Sequence, residues 1–351
     1  MSGETVRKKL TIGYDETEYV CGKNAIEVEN DEGTFIVSET ISNIYPEKIK
    51  RFSEGKIIFV EDGENSKRID NYEEVCRILM DREVERNSYL TYIGGGTIGD
   101  LSGFIASTYK RGLRLKAIPT TLLSQIDSSI GGKNGINFSG VKNAIGTFRN
   151  PERIVADTDF LMKNDQIIRE GMAEIIKHGF SMDYTIIETL LNNDMESVKN
   201  GDILRDLIVK NADIKASVCN QDPYELLGRR YVLNFGHTVA HGIEAISKNS
   251  ITHGAAVIYG IMYEMKMSEI YGMMKYDGIS IMNKLMKRYG INKIEVSDEM
   301  LDGSLSYIMN DKKIRNGKIT IPMATKPGMT NMAELKIEVF KELFLKAGRM
   351  M

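Results

Sequence analysis

Tyr89-Leu90-Thr91-Tyr92-Ile93-Gly94-Gly95-Gly96-Thr97-Ile98-Gly99-Asp100 is the stretch on which the fold turns. Its first five residues are a short β-prone run suited to a strand, and glycines follow at once. Leu101 to Arg111 then has helical spacing. Glycines between a strand and a helix let the backbone approach a pyrophosphate closely, and the helix N-terminus attracts its charge. The pattern is not GxGxxG, so a tight structural turn is the competing reading; the strand before it and the helix after it favour a dinucleotide loop.

Outward from this stretch the same rhythm repeats. Lys56 to Val60 reads as a buried strand, Ser66 to Arg86 as a helix, and Leu113 to Ile118 as the next strand. Alternation of this kind predicts a mainly parallel sheet covered by helices. After about Asp157 helical periodicity dominates: Ile167 to His178, Tyr184 to Leu191, Ile203 to Val218, Arg229 to Ile246, Ala255 to Tyr271, and Met332 to Lys346. The expected fold is an N-terminal α/β domain with a Rossmann-like parallel sheet, residues 1–157, followed by an all-helical C-terminal domain, residues 158–351. A cleft between two such domains is a usual place for a site.

Bulk properties narrow the function. A net charge of -3 offers no basic face for nucleic acid. No apolar run approaches the roughly 18 to 20 residues that span a bilayer. The first residues lack a signal-peptide apolar core, so a cytoplasmic location is expected. Cys21, Cys76 and Cys219 are far apart in sequence and make neither a CxxC pair nor a disulfide framework; buried thiols are the expectation.

Four segments could carry chemistry. Asp62-Gly63-Glu64-Asn65-Ser66-Lys67 follows a strand one βα unit before the triple glycine, where acidic residues often take ribose hydroxyls; a plain turn also explains it. Pro119 to Asn150 reads as a long irregular stretch holding Thr120, Thr121, Asp127, Ser128, Lys133, Lys142 and Asn143, too apolar for disorder and suited to anionic or hydroxylated ligands. Glu174 and Lys177 share a face of an amphipathic helix, as an exposed ion pair or as part of a site. Three of the four histidines, His237, His241 and His253, fall between positions 237 and 253. On one continuous helix, Arg230, Asn234, His237 and His241 would lie along a single stripe. Two histidines and a carboxylate with an open position describe catalytic zinc, while the absence of HExxH argues against a zinc peptidase.

Together these motifs resemble the 3-dehydroquinate synthase family of sugar-phosphate cyclases. The resemblance rests on GGGTIGDLSGF, TYKRG, IPTTLLSQIDSSIGGKNGIN and KNAIGTF between Gly94 and Phe148, and resumes at GMAEIIKHG, Lys215-Ala216-Ser217-Val218, GRRYVLNFGHTVAHGIE, His253-Gly254-Ala255-Ala256-Val257 and Asp311-Lys312-Lys313. About half of the chain is covered, in the expected order; the first fifty residues match weakly.

The resemblance implies a homodimer that takes a seven-carbon keto-acid phosphate, 3-deoxy-D-arabino-heptulosonate 7-phosphate, to 3-dehydroquinate and phosphate, with NAD and a Zn2+ or Co2+ ion as cofactors. NAD is transiently reduced, phosphate leaves, the hydride returns and an aldol closure forms the ring. It implies Glu174, His237 and His253 as metal ligands. NAD contacts would come from Asp62, Gly63, Glu64, Lys67, Gly95, Gly96, Thr97, Ile98, Gly99, Asp100, Thr120, Thr121, Asp127, Ser128, Lys133 and Lys142. Substrate contacts would come from Arg111, Asp127, Lys133, Asn143, Lys177, Lys215, Arg230, Asn234, His241 and one of Lys312 and Lys313, with Arg111 reaching the neighbouring subunit. Lys177, Asn234 and His241 would hold the phosphate and Arg230 the carboxylate. The chain departs from the family pattern at Leu161 to Gln166, which lacks Thr-Leu-Pro, and at Glu39, where a ribose-binding Asp is expected. His178 stands where Tyr is frequent and reads as structural. A metal-dependent polyol dehydrogenase of the same superfold is the alternative; it would release NADH.

Overall fold

The computed structural model describes residues 5–29, 32–52, 54–199, 202–248, 250–310 and 314–351. Nine strands come first: β1 (Val6–Ile12), β2 (Asp15–Gly22), β3 (Thr34–Ser38), β4 (Ile57–Val60), β5 (Tyr89–Gly94), β6 (Arg114–Pro119), β7 (Lys133–Phe138), β8 (Val141–Phe148) and β9 (Arg153–Asp157). Between them lie α1 (Glu39–Ile44), α2 (Pro46–Ile49), α3 (Ile69–Asp81) and α4 (Gly96–Thr108). The helical part holds α5 (Asp165–Ser181), α6 (Tyr184–Asn192), α7 (Met195–Lys199), α8 (Asp202–Gln221), α9 (His237–Ile246), α10 (His253–Ile270), α11 (Gly278–Tyr289) and α12 (Asp298–Met309). Strands β10 (Ile314–Arg315), β11 (Lys318–Lys326) and β12 (Met329–Lys336) precede α13 (Ile337–Gly348). Among the described residues no helix is long and apolar enough to cross a membrane.

By packing, the chain divides into two units: residues up to Ile168 with Leu204–Leu226, and Arg169–Ile203 with Leu227–Met351. The chain thus crosses between units three times, because most of α8 returns to the first, rather than once near residue 157.

In the first unit a seven-stranded sheet runs β1-β2-β9-β6-β5-β3-β4, parallel except for the β1–β2 hairpin. The expected α/β architecture is present. Strand β5 is buried on both faces, which is why it reads as a run without alternation, whereas β6 alternates exposed Arg114 and half-buried Lys116 with buried Leu115 and Ala117; β3, equally buried, is not among the strands singled out in the sequence. Val37, Ile93, Ile118 and Val155 of neighbouring strands meet Phe35 and Phe52, whose rings lie 4.4 Å apart, in the core of this unit. Helix α4 is buried nearly all round because it packs against both β5 and β7. The stretch expected to be a long loop, Pro119 to Asn150, instead forms a π-helical turn (Ser124–Ser128) and the antiparallel β7–β8 hairpin. Residues of β8 are exposed along nearly the whole strand, so no apolar alternation betrayed it.

The second unit is built around α10, which is apolar on almost every face and contacts α9, α11 and α13. Tyr263 anchors it by donating from its hydroxyl to the Phe344 carbonyl at 2.6 Å. Two expectations need correction. The C-terminal region is not wholly helical, because β10–β12 form a three-stranded antiparallel sheet, and the last helix starts at Ile337 rather than Met332. The stretch Arg229 to Ile246 is not one helix: Arg229–Asn234 is a 3-10 turn, Gly236 is left-handed at φ 82°, and α9 begins at His237. The stripe of Arg230, Asn234, His237 and His241 is therefore broken between its second and third members.

Candidate active site

In the first unit, most of the expected cofactor residues follow the carboxyl ends of the parallel strands β4, β5 and β6, whereas Lys133 and Lys142 lie on the antiparallel β7–β8 hairpin. Gly94 ends β5 and α4 starts at Gly96, with no side chain capping its first turn. A Cβ on Gly96 would lie 2.9 Å from Ser128 Oγ, and one on Gly95 3.2 Å from Thr121 Cγ2. Thr97, Ile98 and Gly99 complete the first turn, and Gly99 packs on the Tyr92 ring. The Thr120 amide donates to the Gly94 carbonyl at 3.0 Å, while the Thr121 hydroxyl donates to Ser124 Oγ at 2.8 Å. The hydroxyls of Thr120 and Ser128 are buried with no hydrogen-bond partner among the described residues. Orphaned hydroxyls beside uncapped helix amides fit a phosphorylated dinucleotide.

A polar cluster stands beside this turn. Buried Lys67 reaches Asp100 Oδ2 at 2.7 Å, Asn143 Oδ1, and Glu64 Oε1 at 3.8 Å. Burial pushes the Asp100 carboxyl above the usual range, although Lys67 pulls it back. Asp62 Oδ2, one residue before Gly63, accepts from Ser38 Oγ at 2.5 Å and from the Thr40 amide at 3.2 Å, tying the ends of β3 and β4 together. Glu39 is exposed at the first position of α1 beside this tie. Lys215 Nζ bonds both the Asp127 carboxylate and its carbonyl at 2.7 Å. Lys133 pairs with Glu225 at 2.5 Å, Lys142 is exposed on β8, and Arg111 is exposed in the turn after α4 with φ 66°. Asp311, Lys312 and Lys313 lie outside the described residues.

The second unit brings the three expected metal ligands together. Glu174 sits on α5, His237 is the first residue of α9, and His253 is the first of α10. Glu174 Oε1 lies 3.4 Å from His237 Nε2 and 3.4 Å from His253 Nε2. Ligands about 2.1 Å from one tetrahedral ion stand about 3.4 Å apart, so this spacing suits a shared ion. Both Glu174 oxygens are buried without a well-directed hydrogen bond. Their neighbours are the two rings and Lys177 Nζ, which contacts Oε2.

Electrostatics follow from this crowding. Burial opposes ionisation of Glu174, but Lys177, His237 and His253 outweigh it and hold the carboxyl well below its usual range. Burial holds His237 low. For His253 burial also disfavours charge, yet Glu174 and Glu244 win and push it up to about 10. A divalent ion would take the place of that proton. The residues present thus fit the metal.

His241 lies one turn along α9 and is exposed, its ring 5.3 Å from that of His237. Lys177 is buried beside Glu174. Arg230 is buried and Asn234 half-buried in the 3-10 turn. His178 is fully buried within α5. Sequence reasoning missed Glu244, whose Oε1 lies 3.0 Å from His253 Nδ1. No spacing in the sequence pairs it with His253, because the two stand on different helices.

Comparisons with known proteins bear on the family and the fold. The family model described as 3-dehydroquinate synthase N-terminal matches residues 57–169, and that described as 3-dehydroquinate synthase C-terminal matches residues 171–314. The 3-dehydroquinate synthase of Thermoplasma volcanium is 43% identical over 336 residues, covering 93% of this chain and 92% of its own. A crystal structure of 2-deoxy-scyllo-inosose synthase, complexed with carbaglucose-6-phosphate, NAD+ and Co2+, superposes with a TM-score of 0.83 at 20% identity, covering 97% of this chain and 100% of its own. The 2-epi-5-epi-valiolone synthase of Streptomyces hygroscopicus, with NAD+ and Zn2+ bound, gives 0.83 at 19% identity over 97% of this chain and 99% of its own. These two likenesses show the fold; the family rests on the profile matches and the close relative. The chain belongs to the 3-dehydroquinate synthase family.

Proposed function

We propose that the chain is a cytoplasmic 3-dehydroquinate synthase acting as a homodimer on 3-deoxy-D-arabino-heptulosonate 7-phosphate. The observation that supports this reading is the group of buried Glu174, His237 and Lys177 with half-buried His253, in which a cation lies against the residues that would hold a divalent ion. A phosphorylated polyol needs both a metal-facing hydroxyl and a cation for its departing phosphate. Bound NAD would supply a reversible hydride acceptor, and the divalent ion a Lewis acid for a substrate hydroxyl.

The remaining work falls to side chains of this chain. Lys177, Asn234 and His241 hold the phosphate, and the Arg230 guanidinium takes the carboxylate in a planar bidentate match. Lys215, Asp127, Asn143, Lys133, Arg111 and one of Lys312 and Lys313 complete the substrate contacts. The α4 amides with Thr120 and Ser128 hold the dinucleotide phosphates, and Asp62, Glu64, Lys67 and Asp100 orient its sugars and nicotinamide end. The test combines purified protein, NAD+, Zn2+ and the keto-acid phosphate. Phosphate release without net NADH accumulation is expected. Steady NADH production from glycerol, with no phosphate release, would overturn the reading in favour of a polyol dehydrogenase.

A further inference from the structure

Each ligand-bearing helix of the second unit is tied to the next by a glutamate. Glu170 of α5, one turn before Glu174, accepts the Gly254 amide at the start of α10. Glu264 of α10, itself buried, accepts the amides of Gly236 at 2.7 Å and Thr238 at 3.2 Å at the start of α9. Glu244 of α9 returns to His253 on α10. The first two ties fix backbone: they satisfy first-turn amides that a helix leaves open, and so place His237 and His253. The third acts on a ligand ring itself.

The two imidazoles are oriented differently. Nδ1 of His237 faces the Phe235 carbonyl at 3.4 Å, beyond the usual hydrogen-bond range. Nδ1 of His253 faces a carboxylate at 3.0 Å while its Nε2 faces Glu174. We infer that Glu244 is the positioning residue for His253: it accepts the Nδ1 proton, fixes the tautomer that turns the Nε2 lone pair toward the metal position, and strengthens that nitrogen as a ligand. This rests on the metal reading of Glu174, His237 and His253. Glu244 touches neither substrate nor ion; it acts through the ring.

The test is a titration of apo-protein with Zn2+ against a chelator of known affinity, for wild type, Glu244→Gln, Glu244→Asp and His237→Ala, with the Tm and far-UV circular dichroism of each apo-protein measured alongside. Glu244→Gln, which keeps the shape and loses the charge, is expected to bind about 10- to 100-fold more weakly while the apo-protein keeps its native far-UV circular dichroism, although its Tm falls with the loss of the His253 pairing. Glu244→Asp is expected to recover part of the loss, and His237→Ala to lose uptake. Affinity of Glu244→Gln within about threefold of wild type would overturn the inference while leaving the metal reading intact. A loss of affinity accompanied by loss of the native circular dichroism, or not recovered at all by Glu244→Asp, would assign Glu244 a merely structural role and overturn it as well. Wild type that takes up no ion would overturn the metal reading and this inference together.

Discussion

At the scale of single residues, the histidines differ in position. His237 and His253 offer Nε2 to Glu174, whereas His241 is exposed a turn away. His237→Ala should therefore abolish stoichiometric metal, measured by elemental analysis, while His241→Ala retains it and loses phosphate release; equal metal loss in both would refute the division. Asp100 tests the cofactor side. Its carboxyl is raised in the folded chain, so folding disfavours its ionised form. The stability it contributes is present below the unfolded pKa of about 4 and is lost as pH rises through the higher folded value. Wild type should accordingly lose stability relative to Asp100→Asn across that window in urea unfolding, and a pH-independent gap would contradict this. Asp100→Asn should also bind NAD+ more weakly, because Lys67 loses its charged partner at 2.7 Å.

At the scale of elements, α9 and α10 approach so closely that glycine is required on both sides. A Cβ on Gly260 would come 2.0 Å from the Gly236 carbonyl oxygen, and one on Gly236 2.6 Å from Ile261 Cγ1. Gly260→Ala should cost about 1–3 kcal/mol in denaturant unfolding and weaken metal uptake, since the clash lies next to His237. This contact also marks a limit of what could be read from the chain. A glycine inside a helical pattern is usually tolerated, so only the backbone, left-handed at Gly236, reveals the break. Of the parallel strands, β4, β5 and β6 were legible as short β-prone runs, while β2, β3 and β9 were not singled out. The β7–β8 hairpin and β12 were not: one lies largely exposed, and Met332, Ala333 and Leu335 of the other fall into helical spacing as readily as into strand alternation. Glu174 and the histidines were identifiable through the family motifs, yet their convergence depends on α5, α9 and α10 folding together, and Glu244 emerges only from that convergence.

For the whole molecule, burial governs thiol chemistry. Cys21 and Cys219 are buried, and burial pushes the Cys21 thiol up to about 12, while Cys76 is half-buried. Alkylation of the native chain at pH 8 should modify Cys76 first, with Cys21 and Cys219 reacting only on unfolding; rapid native modification of Cys21 would contradict the packing of the first unit. The glutamate ties of the second unit have a further consequence, in time rather than in affinity. The amides of Gly236 and Thr238 donate hydrogen bonds to the buried Glu264 carboxylate, and that of Gly254 to the half-buried Glu170 carboxylate. They can trade their protons for deuterium only when the ligand helices part. All three should exchange slowly, and Glu264→Gln should hasten Gly236 and Thr238 while leaving Gly254 near its original rate, so that three amides clock the opening of the centre.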